Sequence, residues 1–114
     1  MAYVVMTKKC HVSKETLAQY PANTVWIDVW HLASASADGN FAVKIRQSDK
    51  HFKNYWSGRG VKTLAWKDGL TQDEMIEFCQ ELHEKLGLSF ELFELHGSVY
   101  GDSSWLRQKL AKEA

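Results

Sequence analysis

Cysteine and proline are scarce in this 114-residue sequence, which has two cysteines and one proline. Cys10 and Cys79 are too few to form a disulfide framework, and this excludes the class of small disulfide-stabilised extracellular domains. Free cysteines in a chain of this kind are typical of buried, reduced thiols in a cytoplasmic protein.

An excess of charge of either sign is also lacking, because 14 basic and 14 acidic residues give a formal net charge of zero. This balance argues against a strongly basic nucleic-acid module and against an acidic nucleic-acid mimic, and it leaves self-association weakly opposed. Long apolar runs are absent near the start, since the run from Tyr3 to Met6 is far too short for a signal peptide or a membrane span. We therefore expect a cytoplasmic location and no membrane partner.

The overall composition is that of an ordinary globular protein, with 45% hydrophobic and 25% charged residues. Such values exclude a disordered chain, and the length suits one hydrophobic core. We predict a single domain over residues 1–114. Residues 103–114 form a C-terminal helical extension that docks either on this domain or on a partner.

The most regular stretch is an amphipathic helix followed by a strand between Leu70 and Leu95. Thr71 and Glu74 form a capping box at the start of the helix, and Gly87 ends it. Its apolar residues recur at three- and four-residue spacing and predict one buried stripe: Met75, Phe78, Cys79, Leu82 and Leu86. The opposite side carries an acidic face, which consists of Glu77, Glu81 and Glu84.

The strand after this helix, Leu88 to Leu95, is apolar on both of its faces. A strand of that kind is usually covered on both sides, so we expect it inside the sheet rather than at an edge.

Alternating apolar residues predict a β-hairpin from about Thr24 to Gln47. The register of this hairpin stays open. A two-residue turn would place Trp26 and Trp30 in the core, whereas a shift of one residue would place them on the face of Lys44 and Arg46.

The order of predicted elements favours an α+β fold of the split βαβ type. A strand near Tyr3 and a short helix from Ser13 to Tyr20 precede the hairpin, and an extra strand lies near residue 63. We predict an antiparallel sheet of four to five strands with helices on one face, in the order β-α-β-β-(β)-α-β-α.

A metal site could be assembled from Cys10, His11, Cys79 and His83, because the last two lie one helical turn apart. Structural zinc sites normally show two recognisable ligand pairs, and Cys10 and His11 are a poor pair because adjacent strand residues point to opposite faces. The pattern favours a buried thiol beside a histidine, so we predict neither a metal nor a cofactor.

An enzyme hypothesis rests on Asp28, the one carboxylate in an otherwise apolar strand. Burial would raise its pKa and prepare it as a general base, with His31 or His96 completing a hydrolase-like pair. The alternative is an exposed Asp28, or one paired with Lys44 or Arg46 across the hairpin. Since no P-loop or nucleophile elbow is present, we do not favour catalysis.

Basic and aromatic residues alternate from Ser48 to Lys67, and the sequence has five tryptophans. Protein interfaces favour such anchors, so we rank a non-catalytic protein-binding module first, for example an inhibitor, an immunity protein or an accessory protein of a phage or mobile element that masks a larger partner. The candidate contact residues are Trp26, Trp30, Lys44, Arg46, Lys53, Tyr55, Trp56, Arg59 and Trp66. Two alternatives use the same surfaces: a homodimer that joins the acidic face to the basic segment, and single-stranded RNA or DNA bound through sheet aromatics and the basic 44–67 segment.

Overall fold

A four-stranded mixed sheet positions the rest of the chain in the computed structural model, which describes residues 4–6, 11–20, 24–31, 40–48, 61–97 and 102–113. The strands are β1 (Val4–Met6), β2 (His11–Ser13), β3 (Val25–His31), β4 (Phe41–Gln47), β5 (Lys62–Leu70) and β6 (Phe93–His96). The helices are α1 (Lys14–Ala18), α2 (Gln72–Leu86) and α3 (Ser103–Glu113), and a 3₁₀ turn covers Phe90–Leu92.

The main sheet has the strand order β5-β4-β3-β6. Strand β4 is antiparallel to both β3 and β5, whereas β6 is parallel to β3. The α+β class is confirmed, but the sheet is mixed rather than wholly antiparallel. The reason is the crossover through α2, which returns the chain along the sheet so that β6 starts in the same direction as β5.

The first strand lies outside the main sheet. Strands β1 and β2 form an antiparallel pair of their own, and β2 was not predicted from the sequence. Val12 of β2 is buried in the main core. The predicted short helix is present as α1, and the Ser13 hydroxyl caps it by accepting from the Thr16 amide at 3.2 Å.

Helix α2 has the ends that its sequence predicts. The Thr71 hydroxyl accepts from the Glu74 amide at 3.1 Å, and the Glu74 carboxylate accepts from the Thr71 amide at 2.9 Å. Gly87 ends the helix in the left-handed region with φ of 72°. All residues of the predicted stripe are buried, together with Ile76, and they pack on the sheet.

The hairpin register places Trp26 opposite Arg46, Asp28 opposite Lys44 and Trp30 opposite Ala42. Both tryptophans therefore share a face with the basic residues. We call the face formed by Trp26, Asp28, Trp30, Ala42, Lys44, Arg46, Trp66, Glu94 and His96 the tryptophan face. The other face, which carries Ile27, Val29, Val43, Ile45, Phe93 and Leu95, joins α2 in the core.

The prediction of an internal strand after α2 is wrong, because β6 is an edge strand that pairs with β3 among the described strands. Phe90 and Leu92 lie in the 3₁₀ turn before the strand and pack against the core from there. Only Phe93 and Leu95 face the core within β6 itself. The sequence suggested a second apolar face because the residues of the 3₁₀ turn were counted as part of the strand.

Helix α3 docks on this domain. Leu106 and Leu110 are fully buried in the core, and Arg107 donates to the carbonyl oxygens of Phe90 and Glu91, each at 3.2 Å. Among the described residues, no helix combines the length and apolar character needed to cross a membrane.

Candidate binding face around Asp28, His96 and Trp30

The tryptophan face is built around a buried carboxylate. Asp28 is 3% exposed, and its Oδ1 accepts from Trp26 Nε1 at 3.0 Å and from His96 Nε2 at 2.9 Å. Trp26 is fully buried beside it. A buried carboxylate needs donors or opposite charges to offset its lost hydration, and these two ring nitrogens supply part of that compensation.

Arg46 supplies the remaining positive charge near Asp28. Its Nε lies 3.8 Å from Asp28 Oδ2, and one of its terminal nitrogens donates to Thr63 Oγ1 at 3.1 Å. This Nε is buried without a hydrogen-bond partner among the described residues, so its contact with Asp28 is an ion pair rather than a hydrogen bond. The guanidinium group of Arg46 is thus the second cationic partner of Asp28.

His96 reaches Asp28 because of the parallel strand pairing. The register places His96 of β6 opposite Trp30 and Glu94 opposite Asp28, so His96 and Asp28 are diagonal neighbours on one face. The hydrogen bond to Asp28 raises the pKa of His96 above its usual value, although partial burial opposes this shift. The pair therefore favours the imidazolium form of His96.

Trp30 stacks on this histidine. The two ring centroids are 4.5 Å apart and the planes are inclined by 22°. This stacking holds the indole of Trp30 against a ring that Asp28 keeps in place through its hydrogen bond. Of the large apolar side chains that the structure describes, Trp30 is the one that is exposed, at 38%.

Glu94 extends the cluster toward α3. Its two carboxylate oxygens accept from Arg107 at 3.1 Å and from Ser103 Oγ at 2.9 Å, while the same Ser103 hydroxyl accepts from the Leu95 amide at 2.9 Å. The helix is thereby fixed to the edge strand next to the site. Glu94 also faces His96 and contributes to the raised pKa of that histidine.

The Asp28 and His96 pair has the geometry in which a carboxylate orients a general base. Within the described residues, however, His96 makes its one side-chain hydrogen bond to Asp28, and its ring is stacked against Trp30. No serine, threonine or cysteine of that part of the chain is hydrogen-bonded to it. In this arrangement Asp28 orients the His96 ring, and the ring lies against Trp30.

The predicted contact residues fall into three groups. Trp30 is exposed, and Lys44, Arg46 and Trp66 of the same face are partly exposed. Trp26 is fully buried and supports the face through Asp28 rather than forming part of its surface. The others, Lys53, Tyr55, Trp56 and Arg59, lie outside the described residues.

The acidic face lies on α2, which packs on the opposite side of the sheet. Glu77 and Glu84 are exposed and Glu81 is partly exposed. Two of these glutamates line a groove of about 210 Å³ together with Lys67, Leu70, Glu74 and Phe78. Acidic face and tryptophan face are therefore two separate surfaces.

Two of the four residues considered for a metal site, Cys79 and His83, make other contacts. Cys79 is fully buried and directs its thiol to Met75 Sδ at 3.9 Å, and burial raises the pKa of this thiol. His83 Nδ1 donates to the Leu88 carbonyl at 2.6 Å while its ring stacks on Phe90. In the described ranges, no group of three metal-binding side chains is close enough to hold an ion; Cys10 lies outside them.

Sequence reasoning identified Asp28 and named His96 as one of two partners, but it missed Glu94, Ser103 and Arg107. The useful signal would have been the alternation of Glu94 and His96 with buried residues in β6, which puts both on the face of Asp28. Comparison of the chain with protein-family models, with curated proteins and with solved structures finds no match.

Proposed function

We propose that this chain is a small non-catalytic protein-binding module, and that the exposed part of the tryptophan face is its contact surface. An inhibitor, an immunity protein or a phage or mobile-element accessory protein would act in this way by masking a larger partner. The observation that carries the proposal is Trp30, an exposed tryptophan held on an imidazole ring. Tryptophan is among the residues most enriched at the energetic centres of protein interfaces.

The support beneath Trp30 favours binding because it limits the entropy lost when a partner docks. His96 is held by Asp28, and Asp28 is buried and held in turn by Trp26 and Arg46. A side chain whose orientation is fixed before binding loses less conformational freedom in the complex than a mobile one. Trp30 therefore has the properties of a preorganised anchor residue for a partner.

The proposal is tested by affinity purification from the native host with three baits: wild type, Trp30→Ala and Glu84→Ala. Glu84 is exposed on α2, away from the tryptophan face, so its substitution is the matched surface control. We expect wild type and Glu84→Ala to recover the same stoichiometric partner and Trp30→Ala to lose it. Equal recovery by all three baits would contradict the proposal.

Single-stranded nucleic acid is the second candidate, because Trp30 and Lys44 lie on the same sheet face and such faces stack bases beside phosphate-binding cations. Against it stands Arg46, whose charge is shared with Asp28. A gel shift with single-stranded RNA and DNA at low and high salt tests this candidate. Binding that falls steeply with salt and is lost in Trp30→Ala would favour it over a protein partner.

A homodimer is the form of the proposal in which the partner is a second copy. The acidic face and the tryptophan face lie on opposite sides of the sheet. Glu77 and Glu84 of the acidic face are exposed, and Lys44 of the tryptophan face forms no ion pair with a described residue, which suits contact between copies. A monomeric mass in light scattering at high protein concentration would exclude this form while leaving a different protein partner open.

A cytoplasmic location belongs to the same proposal. Cys79 is a free, fully buried thiol, and unpaired cysteines are common in proteins of reducing compartments. Cell fractionation of the native host, followed by immunoblotting of the fractions, tests the location directly.

A further inference from the structure

The acidic residues of the tryptophan face are paired within the part of the chain that the structure describes, whereas one of its basic residues is not, and this difference bears on the chemistry of a partner. Both acidic residues of this face have cationic or donor partners within the chain. Asp28 is compensated by His96 and Arg46, and Glu94 is compensated by Arg107. Neither carboxylate is therefore available to attract a basic partner.

Lys44 is the contrasting residue. It is partly exposed, and it forms no ion pair with any residue that the structure describes. Its backbone partner across the sheet is Asp28, whose carboxylate turns to His96 and Arg46 instead. The uncompensated charge on this part of the face is consequently positive.

Lys44 lies next to the exposed indole of Trp30. Ala42 pairs with Trp30 and precedes Lys44 by two residues, so Lys44 and Trp30 are diagonal neighbours on adjacent strands, with Cα atoms about 7–8 Å apart. Ala42 presents only a methyl group between them. The indole of Trp30, the small side chain of Ala42 and the side chain of Lys44 are therefore neighbours, and a bound segment of a few residues could contact all three.

We propose that this surface binds a protein segment that carries an aspartate or glutamate next to an apolar side chain. The apolar side chain packs on Trp30 and the carboxylate pairs with Lys44. This inference rests on the proposed protein-binding function and specifies its partner. A phosphate backbone fits less well, because among the described residues of this face Lys44 is the cation without an ion-pair partner, and one cation does not make a row that follows a strand of phosphates.

The test is selection of a displayed library of random 12-residue peptides on immobilised wild-type protein and on three variants. Lys44→Glu reverses the charge, Trp30→Ala removes the anchor, and Lys85→Glu reverses an exposed charge on α2 as the control. Circular dichroism checks that each variant is folded. The strongest wild-type peptide is then synthesised and its affinity for each protein is measured by fluorescence anisotropy.

We expect the peptides selected on the wild-type protein to be enriched in Asp or Glu next to Leu, Ile, Phe or Trp. Lys44→Glu lowers the affinity for the synthesised peptide about tenfold or more, since like charges then face each other. Selection on this variant enriches basic peptides instead. Lys85→Glu leaves the affinity unchanged. Trp30→Ala abolishes enrichment.

Three outcomes overturn the inference, and they are distinguishable. Basic or uncharged peptides that still require Trp30 would overturn the acidic partner while keeping the protein-binding function. No enriched peptide, or enrichment that does not depend on Trp30, would overturn both. Binding of a fluorescein-labelled 20-nucleotide oligo(dT) that requires Trp30 and Lys44 would also overturn the inference, in favour of a nucleic acid.

Discussion

Removing the carboxylate of Asp28 is the most informative perturbation of the site. Asp28 accepts from Trp26 Nε1 at 3.0 Å and from His96 Nε2 at 2.9 Å, and it lies 3.8 Å from Arg46 Nε. Asp28→Ala removes all three contacts at once. Asp28→Asn keeps one carbonyl oxygen that can accept from Trp26, but it removes the negative charge.

The magnitude follows from which groups are buried. The indole N–H of fully buried Trp26 loses its Asp28 acceptor, and an unsatisfied buried donor costs about 1–3 kcal/mol. His96 and Arg46 are partly exposed, so each lost ion pair adds only about 0–1 kcal/mol. We therefore expect Asp28→Ala to lower the free energy of unfolding by about 1–5 kcal/mol, and Asp28→Asn, which loses only the two ion pairs, by about 0–2 kcal/mol.

The assay is equilibrium unfolding in urea, followed by tryptophan fluorescence and circular dichroism. For a small domain a loss near the middle of the Asp28→Ala range lowers the urea midpoint by about 1–2 M. Asp68→Ala, on an exposed residue of β5, is the matched control and leaves the midpoint in place. An Asp28→Ala midpoint within error of wild type would refute the reasoning, and so would Asp28→Asn as destabilised as Asp28→Ala.

Three further predictions test the surroundings of the site. The hydrogen bond to Asp28 raises the pKa of His96 above its ordinary value of 6.5, so the stabilisation of the fold by the Asp28–His96 ion pair is fully present below pH 6.5 and is lost as the pH rises through the raised pKa. We therefore expect His96→Gln to lower the free energy of unfolding more at pH 6 than at pH 9. Equal losses at the two pH values would count against the ion pair. Gly97→Ala is more destabilising in thermal unfolding than Gly69→Ala, because both glycines have positive φ but only at Gly97 would a Cβ lie 2.9 Å from a backbone oxygen. Leu106→Ala lowers the free energy of unfolding by about 2–5 kcal/mol in urea titrations, as expected for a fully buried leucine; a negligible change would show that α3 is not part of the core.

Local signals in the sequence were sufficient to predict α2. The Thr71 and Glu74 cap, the apolar spacing and the terminal Gly87 all act within a few residues of each other, so no knowledge of the fold is needed. The strands of the hairpin were predictable for the same reason. Their alternation is a local property of each strand.

The register of the hairpin was not predictable, because strand side chains repeat every two residues and one extra loop residue exchanges the two faces. The choice between His31 and His96 as the partner of Asp28 did not depend on that register, because His31 lies three residues from Asp28 on the same strand and therefore on the opposite face. His31 points into the core and stacks on Phe41 at 4.2 Å, whereas His96 reaches Asp28 through a parallel pairing between residues far apart in sequence. The alternation of β3 excludes His31, whereas the pairing of Asp28 with His96 depends on the tertiary fold.

The edge position of β6 was missed for a different reason. Phe90 and Leu92 continue the apolar pattern of the strand, but the backbone turns through a 3₁₀ helix there before the strand begins. Ser89 caps this turn by accepting from the Glu91 amide at 3.3 Å. A short apolar run cannot distinguish such a turn from the first residues of a strand.

The most direct test of the binding face is an NMR titration of the ¹⁵N-labelled protein with the partner recovered by affinity purification. If the account is right, the indole Nε1–H resonance of Trp30 and the backbone amides of Ala42 and Lys44 shift or broaden on addition of the partner. Perturbations confined to the acidic face, at Glu77, Glu81 and Glu84, with Trp30 unchanged, would contradict it.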